Sequence, residues 1–207
     1  MRKTAILLFF TLALILSSYA QKERPSQTKG MVGITFSSLG TDDLVSSGNL
    51  IGGPGYSGDG FFSVGVSYLH PLNQTLDIET GIEYSNYKIL INPSVMVFSN
   101  YPPYDAKFSL ITIPFNLRVN FARYFFVNGG LFLGVDASSS MPVNSQSGIG
   151  MNFGLGLKYN FNDRLTAFVN PYIKMHSMVS ISTENSDRQR LLESGFRFGL
   201  LYQLKYP

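Results

Sequence analysis

Apolar and polar residues alternate with a period of two along most of the chain. In 110–121 the odd positions are apolar, while the even positions include Asn116 and Arg118. The same alternation recurs along 148–160 and 196–206, and helical periodicity is absent beyond the N-terminal segment. A period of two indicates strands with one apolar and one polar face. The pattern therefore predicts an all-β protein.

The alternation predicts eight strands whose connections are short and long in turn. The strands are expected at about 31–39, 60–70, 75–90, 107–121, 124–137, 147–160, 164–180 and 191–206. The short connections are 70–74, 121–124 and 161–164, and the long ones are 40–59, 91–106, 137–147 and 179–190. Short turns at one end, long loops at the other and an even strand count are typical of bacterial outer-membrane barrels. We predict an eight-stranded antiparallel up-and-down transmembrane β-barrel with both termini on the periplasmic side.

The first 20 residues have the pattern of an export signal. A basic start at 1–3 precedes an apolar run over 4–16, and Ala20 ends a small-residue cleavage motif. The apolar run is shorter than the roughly 20 residues that span a bilayer as a helix, so a signal peptide is favoured over an anchor. We predict cleavage after Ala20, a periplasmic linker over 21–29 and a barrel domain over 30–207.

The amino-acid composition narrows the class of protein further. Charged residues make up 14% of the chain, whereas soluble domains carry about 25%. The hydrophobic content of 44% excludes disorder, and the absence of Cys excludes a zinc ribbon, a thiol enzyme and a disulfide scaffold. Arg2 and Lys3 supply two of the three net positive charges, so the charge gives no argument for a nucleic-acid partner.

The polar face of the predicted strands carries eight charged residues that are expected to form a network. They are Asp77, Glu79, Glu83, Arg118, Lys158, Lys174, Arg197 and Lys205. A charge that faces lipid costs about 2–4 kcal/mol at the bilayer midplane, so these side chains are expected inside the barrel. Side chains are sufficient to fill an eight-stranded barrel. We predict a plugged polar lumen held by a charge network, with inward glycines making room for the charged side chains.

Aromatic residues are expected to form two girdles at the membrane interfaces. The girdle near the short turns comprises Tyr68, Phe121, Tyr124, Tyr159, Tyr202 and Tyr206. The girdle near the long loops comprises Phe36, Tyr84, Tyr87 and Phe108.

Few residues suggest a catalytic or binding site. His176 faces the predicted lumen, and Ser177 and Ser180 follow it, but no distinctive Ser/His/acid spacing is present. A hydrogen-bonding role for His176 is therefore favoured, and no catalytic residue, metal site or cofactor is predicted. The loop 91–106 is unusually apolar, and its Phe98, Tyr101 and Tyr104 form either a contact surface or a cover packed over the barrel mouth.

Several segments resemble a known family. They are 68–72 leading into 76–84, then 110–115, 127–134 and 153–159. With these segments the chain resembles the porin-family, PorT-like outer-membrane β-barrel domain of Bacteroidetes over most of 30–207. The resemblance implies the fold, the outer-membrane location and recognition of the last strand by the barrel assembly machinery, but no catalytic residues. It departs from the family's aromatic C-terminus, because Pro207 follows Tyr206.

The function expected from these features is an integral outer-membrane barrel that acts as a structural or binding module through its long extracellular loops. Its expected partners are outer-membrane lipid, the assembly machinery and an unidentified envelope or extracellular partner. Three alternatives stay open: a lipid-modifying enzyme of the lipid A hydrolase or acyltransferase type, a small-solute porin, and an accessory component of a secretion system.

Overall fold

A computed structural model describes residues 29–46, 55–93, 102–138, 143–181 and 189–204. They form eight strands: β1 Met31–Ser46, β2 Gly55–Pro71, β3 Leu76–Asn92, β4 Tyr104–Phe121, β5 Phe125–Asp136, β6 Gly148–Asn160, β7 Leu165–Ser180 and β8 Gln189–Gln203. Each strand pairs antiparallel with the next, and β8 pairs with β1, which closes the barrel. The predicted eight-stranded up-and-down barrel is confirmed. Within the described ranges, no helix is long and apolar enough to cross a membrane.

The alternating sequence places apolar side chains on the outside of the barrel and polar ones inside. Ile34, Val66 and Ile82 are exposed by 60 to 64% on the outer wall. On the inner wall, Asn116 and Arg118 are almost fully buried. A continuous apolar exterior of this kind is the surface that transmembrane barrels present to lipid.

The connections divide the barrel into a short-turn end and a long-loop end. The turns after β2 and β6 are built alike: Asn73 accepts hydrogen bonds from Thr75 and Leu76, and Asn162 accepts them from the amides of residues 164 and 165. Such Asn side chains replace backbone acceptors in tight turns. The chain is thereby reversed within a few residues at this end.

Several strands extend farther toward the long-loop end than the sequence pattern predicts. The predicted loop 40–59 is strand up to Ser46 and again from Gly55, and the predicted loop 91–106 is strand up to Asn92 and from Tyr104. The pairing register shifts between residues 38 and 41 of β1 and between residues 58 and 61 of β2. A bulge adds a residue and reverses the period of two, so the alternation ends although the strand continues.

Apolar clusters lie on both sides of the charged middle of the lumen, so the predicted polar lumen describes only part of the barrel interior. The cluster at the short-turn end comprises Met31, Leu69, Phe126, Phe168 and Leu201. The cluster at the long-loop end comprises Phe61, Tyr87, Ile89, Ile91, Phe108, Leu110, Val143 and Leu191.

Tyr87 and Phe108 are inside the barrel, so their predicted place in the outer girdle is wrong. Both side chains are buried, whereas Tyr84 is exposed on the outer wall. Residues three apart on a regular strand face opposite sides, and Tyr84 and Tyr87 therefore cannot share a girdle.

Inward glycines make room for aromatic rings rather than for charged side chains. A Cβ atom on Gly156 would lie 2.1 Å from the Phe126 ring, and one on Gly199 would lie 2.2 Å from the Phe168 ring. Each ring can therefore lie over the backbone of the neighbouring strand, because Phe126 pairs with Gly156 and Phe168 with Gly199. They form the apolar floor of the charged middle layer.

Candidate functional site

The charged middle layer begins, on the short-turn side, with one acid held between two arginines. Arg118 donates from Nη2 to Glu79 Oε2 at 2.8 Å and from Nε at 3.2 Å, while Arg197 Nη1 lies 2.9 Å from Glu79 Oε1. The Arg118 guanidinium also lies 4.1 Å from the centre of the Phe126 ring and 5.0 Å from that of Phe168. We call Glu79, Arg118 and Arg197 the arginine network.

Two further predicted lumen charges are joined through an amide below this network. Asn120 Nδ2 donates to Asp77 Oδ2 at 2.6 Å, and Lys158 Nζ donates to Asn120 Oδ1 at 2.6 Å. Asp77 and Lys158 are thus bridged by Asn120 at the short-turn mouth. Lys205, the remaining predicted lumen charge, lies outside the described residues.

A second network lies on the long-loop side of the arginine network. Lys174 Nζ donates to Glu83 Oε1 at 2.5 Å and lies 3.7 Å from Glu193 Oε1. Glu193 is fully buried, and it is the acceptor on which this network converges. β3, β7 and β8 are thereby linked across the lumen.

Two tyrosines and a histidine complete the contacts of Glu193. Tyr87 donates its hydroxyl to Oε2 and Tyr172 donates to Oε1, while His176 Nε2 lies 3.3 Å from Oε2. The Glu193 network consists of this residue with Glu83, Lys174, Tyr87, Tyr172 and His176. A buried carboxylate with this many donors is well satisfied, which offsets the cost of removing it from water.

The buried charges of the two networks balance. The acids are Glu79, Glu83 and Glu193, and the bases are Arg118, Lys174 and Arg197. With His176 left out of the count, three negative charges face three positive ones. The middle layer therefore needs no further ion to be neutral.

Sequence reasoning missed Glu193, although five of the predicted lumen charges lie in the two networks. The predicted strand begins at residue 191, but the alternation that predicts it is regular only over 196–206. Continuing the period of two backward from Arg197 through Gly195 leads to Glu193 on the same face. The signal was therefore present in the sequence. Tyr87 is not predicted in the lumen, because aromatic side chains near strand ends are typical of the lipid interface.

His176 lies in a closed environment. Its side chain is fully buried, and its ring centre is 4.9 Å from that of Phe132 and 5.9 Å from that of Tyr87. Ser177, next to it, adopts a φ of 48° and is also buried. Among the residues that the structure describes, no group of three or more His, Asp or Glu side chains could hold a metal ion.

Residues 143–147, which lead into β6, are held at the long-loop end by hydrogen bonds. Asp136 accepts hydrogen bonds from Ser145 Oγ at 2.5 Å and from the Gln146 backbone amide at 3.0 Å. The buried Gln146 side chain donates to the Gln189 carbonyl and accepts from the Leu191 amide, both at 3.0 Å. The β7–β8 ladder ends at Leu192, so Leu191 has no partner on β7. The Gln146 side-chain amide takes the place of that partner.

On the outer wall of β3, the polar side chains of Asn86 and Lys88 follow Tyr84 and mark the end of the apolar band on this strand. Lys88 pairs there with Asp59 and, at 3.1 Å, with Asp105. The hydrogen bond to Asp59 raises the pKa of Lys88 most, and the one to Asp105 raises it further.

Asp42 lies above the apolar band, where β1 and β2 are no longer paired. The β1–β2 ladder ends at the pair of Ser37 and Ser63, and the Asp42 carboxylate accepts a hydrogen bond from the Gly60 amide at 3.0 Å. Burial raises the pKa of the Asp42 carboxyl from 3.8 to about 6, although the Gly60 bond opposes this effect. Asp42 thus connects two strands by its side chain.

The predicted loop contact surface is described only in part. Tyr104 begins β4 and is 55% exposed. Phe98 and Tyr101 lie outside the described residues.

No protein-family model and no curated protein sequence matches the chain. Among solved structures, the outer membrane protein OprG from Pseudomonas aeruginosa is 13% identical, with 87% of this chain and 98% of that chain covered and a TM-score of 0.49. The N-terminal β-barrel domain of Pseudomonas aeruginosa OprF is 12% identical, with coverage of 87% and 100% and a TM-score of 0.43. The attachment invasion locus protein Ail of Yersinia pestis is 14% identical, with coverage of 85% and 99% and a TM-score of 0.40. These neighbours are small outer-membrane β-barrel proteins, and the likeness is too low to bear on function.

Proposed function

We propose that this protein is an integral outer-membrane barrel with a closed lumen, which acts as a structural or binding module through its long-loop end. The observation that carries the proposal is the filled middle layer. Arg118 and Glu193 are at most 1% exposed, and apolar clusters cover both networks. Ions need a hydrated path through a barrel, and paired side chains occupy that path here.

The outer wall supports placement in a membrane. Exposed Phe, Leu, Ile and Val side chains surround the barrel between the two rims, while the buried charges face inward. The proposal includes export by the segment 1–20 with cleavage after Ala20, and insertion by the assembly machinery through the last strand. It also includes PorT-like kinship, which is supported only by the sequence resemblance.

The long-loop end is the best candidate for contacts with a partner. At the opposite end, the described turns 72–75, 122–124 and 161–164 are only long enough to reverse the chain. Binding residues are commonly carried by loops on a rigid scaffold. We therefore place the contact surface at this end, with Tyr104 at its edge and with Phe98 and Tyr101 as further members.

The position of His176 supports a non-enzymatic role. Its ring is enclosed by Phe132, Tyr87 and Glu193, so a lipid substrate would have to displace the packed layer to reach it. Catalytic groups need access to the reacting atoms of the substrate. A membrane-embedded hydrolase or acyltransferase built on His176 is therefore disfavoured.

Reconstitution in planar bilayers tests the closed lumen. We expect the refolded protein to show no stable conductance steps, while a 16-stranded porin prepared in the same way conducts. Fractionation of the native protein with the outer membrane, and a heat-dependent shift on gels, would show that the preparation is inserted and folded. A stable, large single-channel conductance from such a preparation would contradict the proposal, as would recovery in the soluble periplasm without detergent.

A further inference from the structure

A groove crosses the outer wall where β7, β8, β1 and β2 meet. It has a volume of about 550 Å³ and an apolar lining that includes Ile34, Phe36, Val64, Ala167, Phe198 and Leu200. Ala167, the smallest of these outward side chains, pairs with Leu200 in the β7–β8 ladder. The groove lies within the apolar band, so its occupant in a membrane must be hydrocarbon.

A pocket that carries two charged side chains lies below this groove at the short-turn end. It has a volume of about 460 Å³ and is lined by Asn162, Asp163, Arg164, Leu165 and Tyr202. Leu165 pairs with Tyr202 in the β7–β8 ladder, and the next pair on the outer face is Ala167 with Leu200. Two residues along a strand span about 7 Å, so the pocket and the groove are neighbours on the same face.

The pocket offers one cation and one anion. Arg164 presents a guanidinium, which suits a phosphate group, and Asp163 presents a carboxylate, which suits an ammonium group. Neither side chain forms an ion pair with another described residue. Tyr202 is half-exposed beside them and has the amphipathic ring common at membrane interfaces.

We infer that the groove and the pocket together bind one zwitterionic phospholipid with an ethanolamine headgroup. Its acyl chain lies in the groove over Ala167, its phosphate contacts Arg164 and its ammonium contacts Asp163. A phospholipid with a glycerol headgroup has no ammonium group to pair with Asp163. Its negatively charged phosphate would then lie near an unpaired carboxylate, which weakens its binding. The membrane setting of this site, in the periplasmic leaflet, rests on the proposed function, but the binding itself can be measured in detergent.

The chain offers matched controls for both parts of the site. Arg123 lies on the turn after β4 and packs its guanidinium 5.6 Å from the Tyr124 ring, with no acid in that turn. Val135 is 56% exposed on the outer wall of β5 and is not part of the groove. Arg123→Gln therefore serves as the control for Arg164→Gln, and Val135→Phe serves as the control for Ala167→Phe.

The test is native mass spectrometry of the folded, heat-modifiable barrel in detergent, titrated with phosphatidylethanolamine and phosphatidylglycerol of identical acyl chains. We expect the ethanolamine lipid to bind more tightly. Arg164→Gln should weaken its binding by up to about fivefold, the upper end of the range of an exposed ion pair. Asp163→Asn should remove the preference between the lipids, and Ala167→Phe should weaken both. The two control variants should bind like the wild type.

Equal binding of the two lipids by the wild type would overturn the inference. So would an Arg164→Gln variant that binds like Arg123→Gln, or an Ala167→Phe variant that binds like Val135→Phe. The outcome is independent of the bilayer conductance test. A conducting barrel that prefers the ethanolamine lipid contradicts only the proposed function, and a non-conducting barrel without this preference contradicts only the inference about the lipid.

Discussion

Replacing Glu79 tests whether the arginine network holds the barrel together by charge. Among the residues that the structure describes, Glu79 is the only acid that forms an ion pair with Arg118 or Arg197. Glu79→Leu leaves two buried guanidinium groups facing each other without a carboxylate. Arg118→Leu is a smaller perturbation, because Glu79 keeps Arg197 at 2.9 Å and the remaining pair is neutral.

The expected magnitudes follow from burial and pairing. Removing one partner of a buried ion pair costs about 3–5 kcal/mol, and we expect Glu79→Leu to lie in this range. Arg118→Leu removes hydrogen bonds to Glu79 and the contact with the Phe126 ring, which together are worth about 1–3 kcal/mol. Combining Glu79→Leu with Arg118→Leu should lower the free energy of unfolding by less than the sum of the two single effects, and the difference should exceed about 1 kcal/mol. The reason is that Arg118→Leu removes one of the two guanidinium charges that Glu79→Leu leaves uncompensated.

The free energy of unfolding can be measured by urea titration in detergent micelles. The chain contains no Trp, so circular dichroism and the heat-dependent gel shift are suitable probes. Coincident transitions by both probes are needed before the free energies are compared. An Arg118→Leu variant at least as unstable as Glu79→Leu would refute the reasoning. Strict additivity in the double variant would refute it too, because the charges would then act independently.

Three other predictions concern the long-loop end. Because burial raises the pKa of Asp42 to about 6, the folded state holds more protons than the unfolded state between about pH 4 and pH 6. Stability should therefore fall as the pH rises through this window, and Asp42→Asn should reduce that slope in urea titrations; an unchanged slope would contradict this. Asp136→Ala should lower the free energy of unfolding by about 1–2 kcal/mol, since it removes the two hydrogen bonds that hold Ser145 and Gln146; an unchanged urea midpoint would show that they contribute nothing. Replacing 47–54 and 94–101 by short turns should preserve the heat-dependent gel shift and abolish any surface-binding phenotype, whereas loss of folding would show that the barrel depends on these loops.

Local alternation was sufficient to predict which way most strand residues point. Arg118, Glu79 and Lys174 were expected inside because they share the polar face of their strands, and the side-chain period of a strand is a property of its own backbone. The strand number, the connection pattern and the closed up-and-down topology followed from the same alternation. Where a bulge interrupted the period, as after Ser38 and Gly58, the prediction of the strand ends was wrong.

Partners across the lumen depended on the tertiary structure. Glu193 contacts Tyr87 from a distance of 106 residues along the chain, and Lys174 contacts Glu83 from 91 residues away. These pairs meet because every strand register, including that of β1 with β8, sets the height at which each inward side chain lies. Periodicity within one strand carries no information about the height of another. The sequence by itself therefore determined the faces of the strands, whereas closure of the barrel decided which buried charges are neighbours and which aromatic rings close its ends.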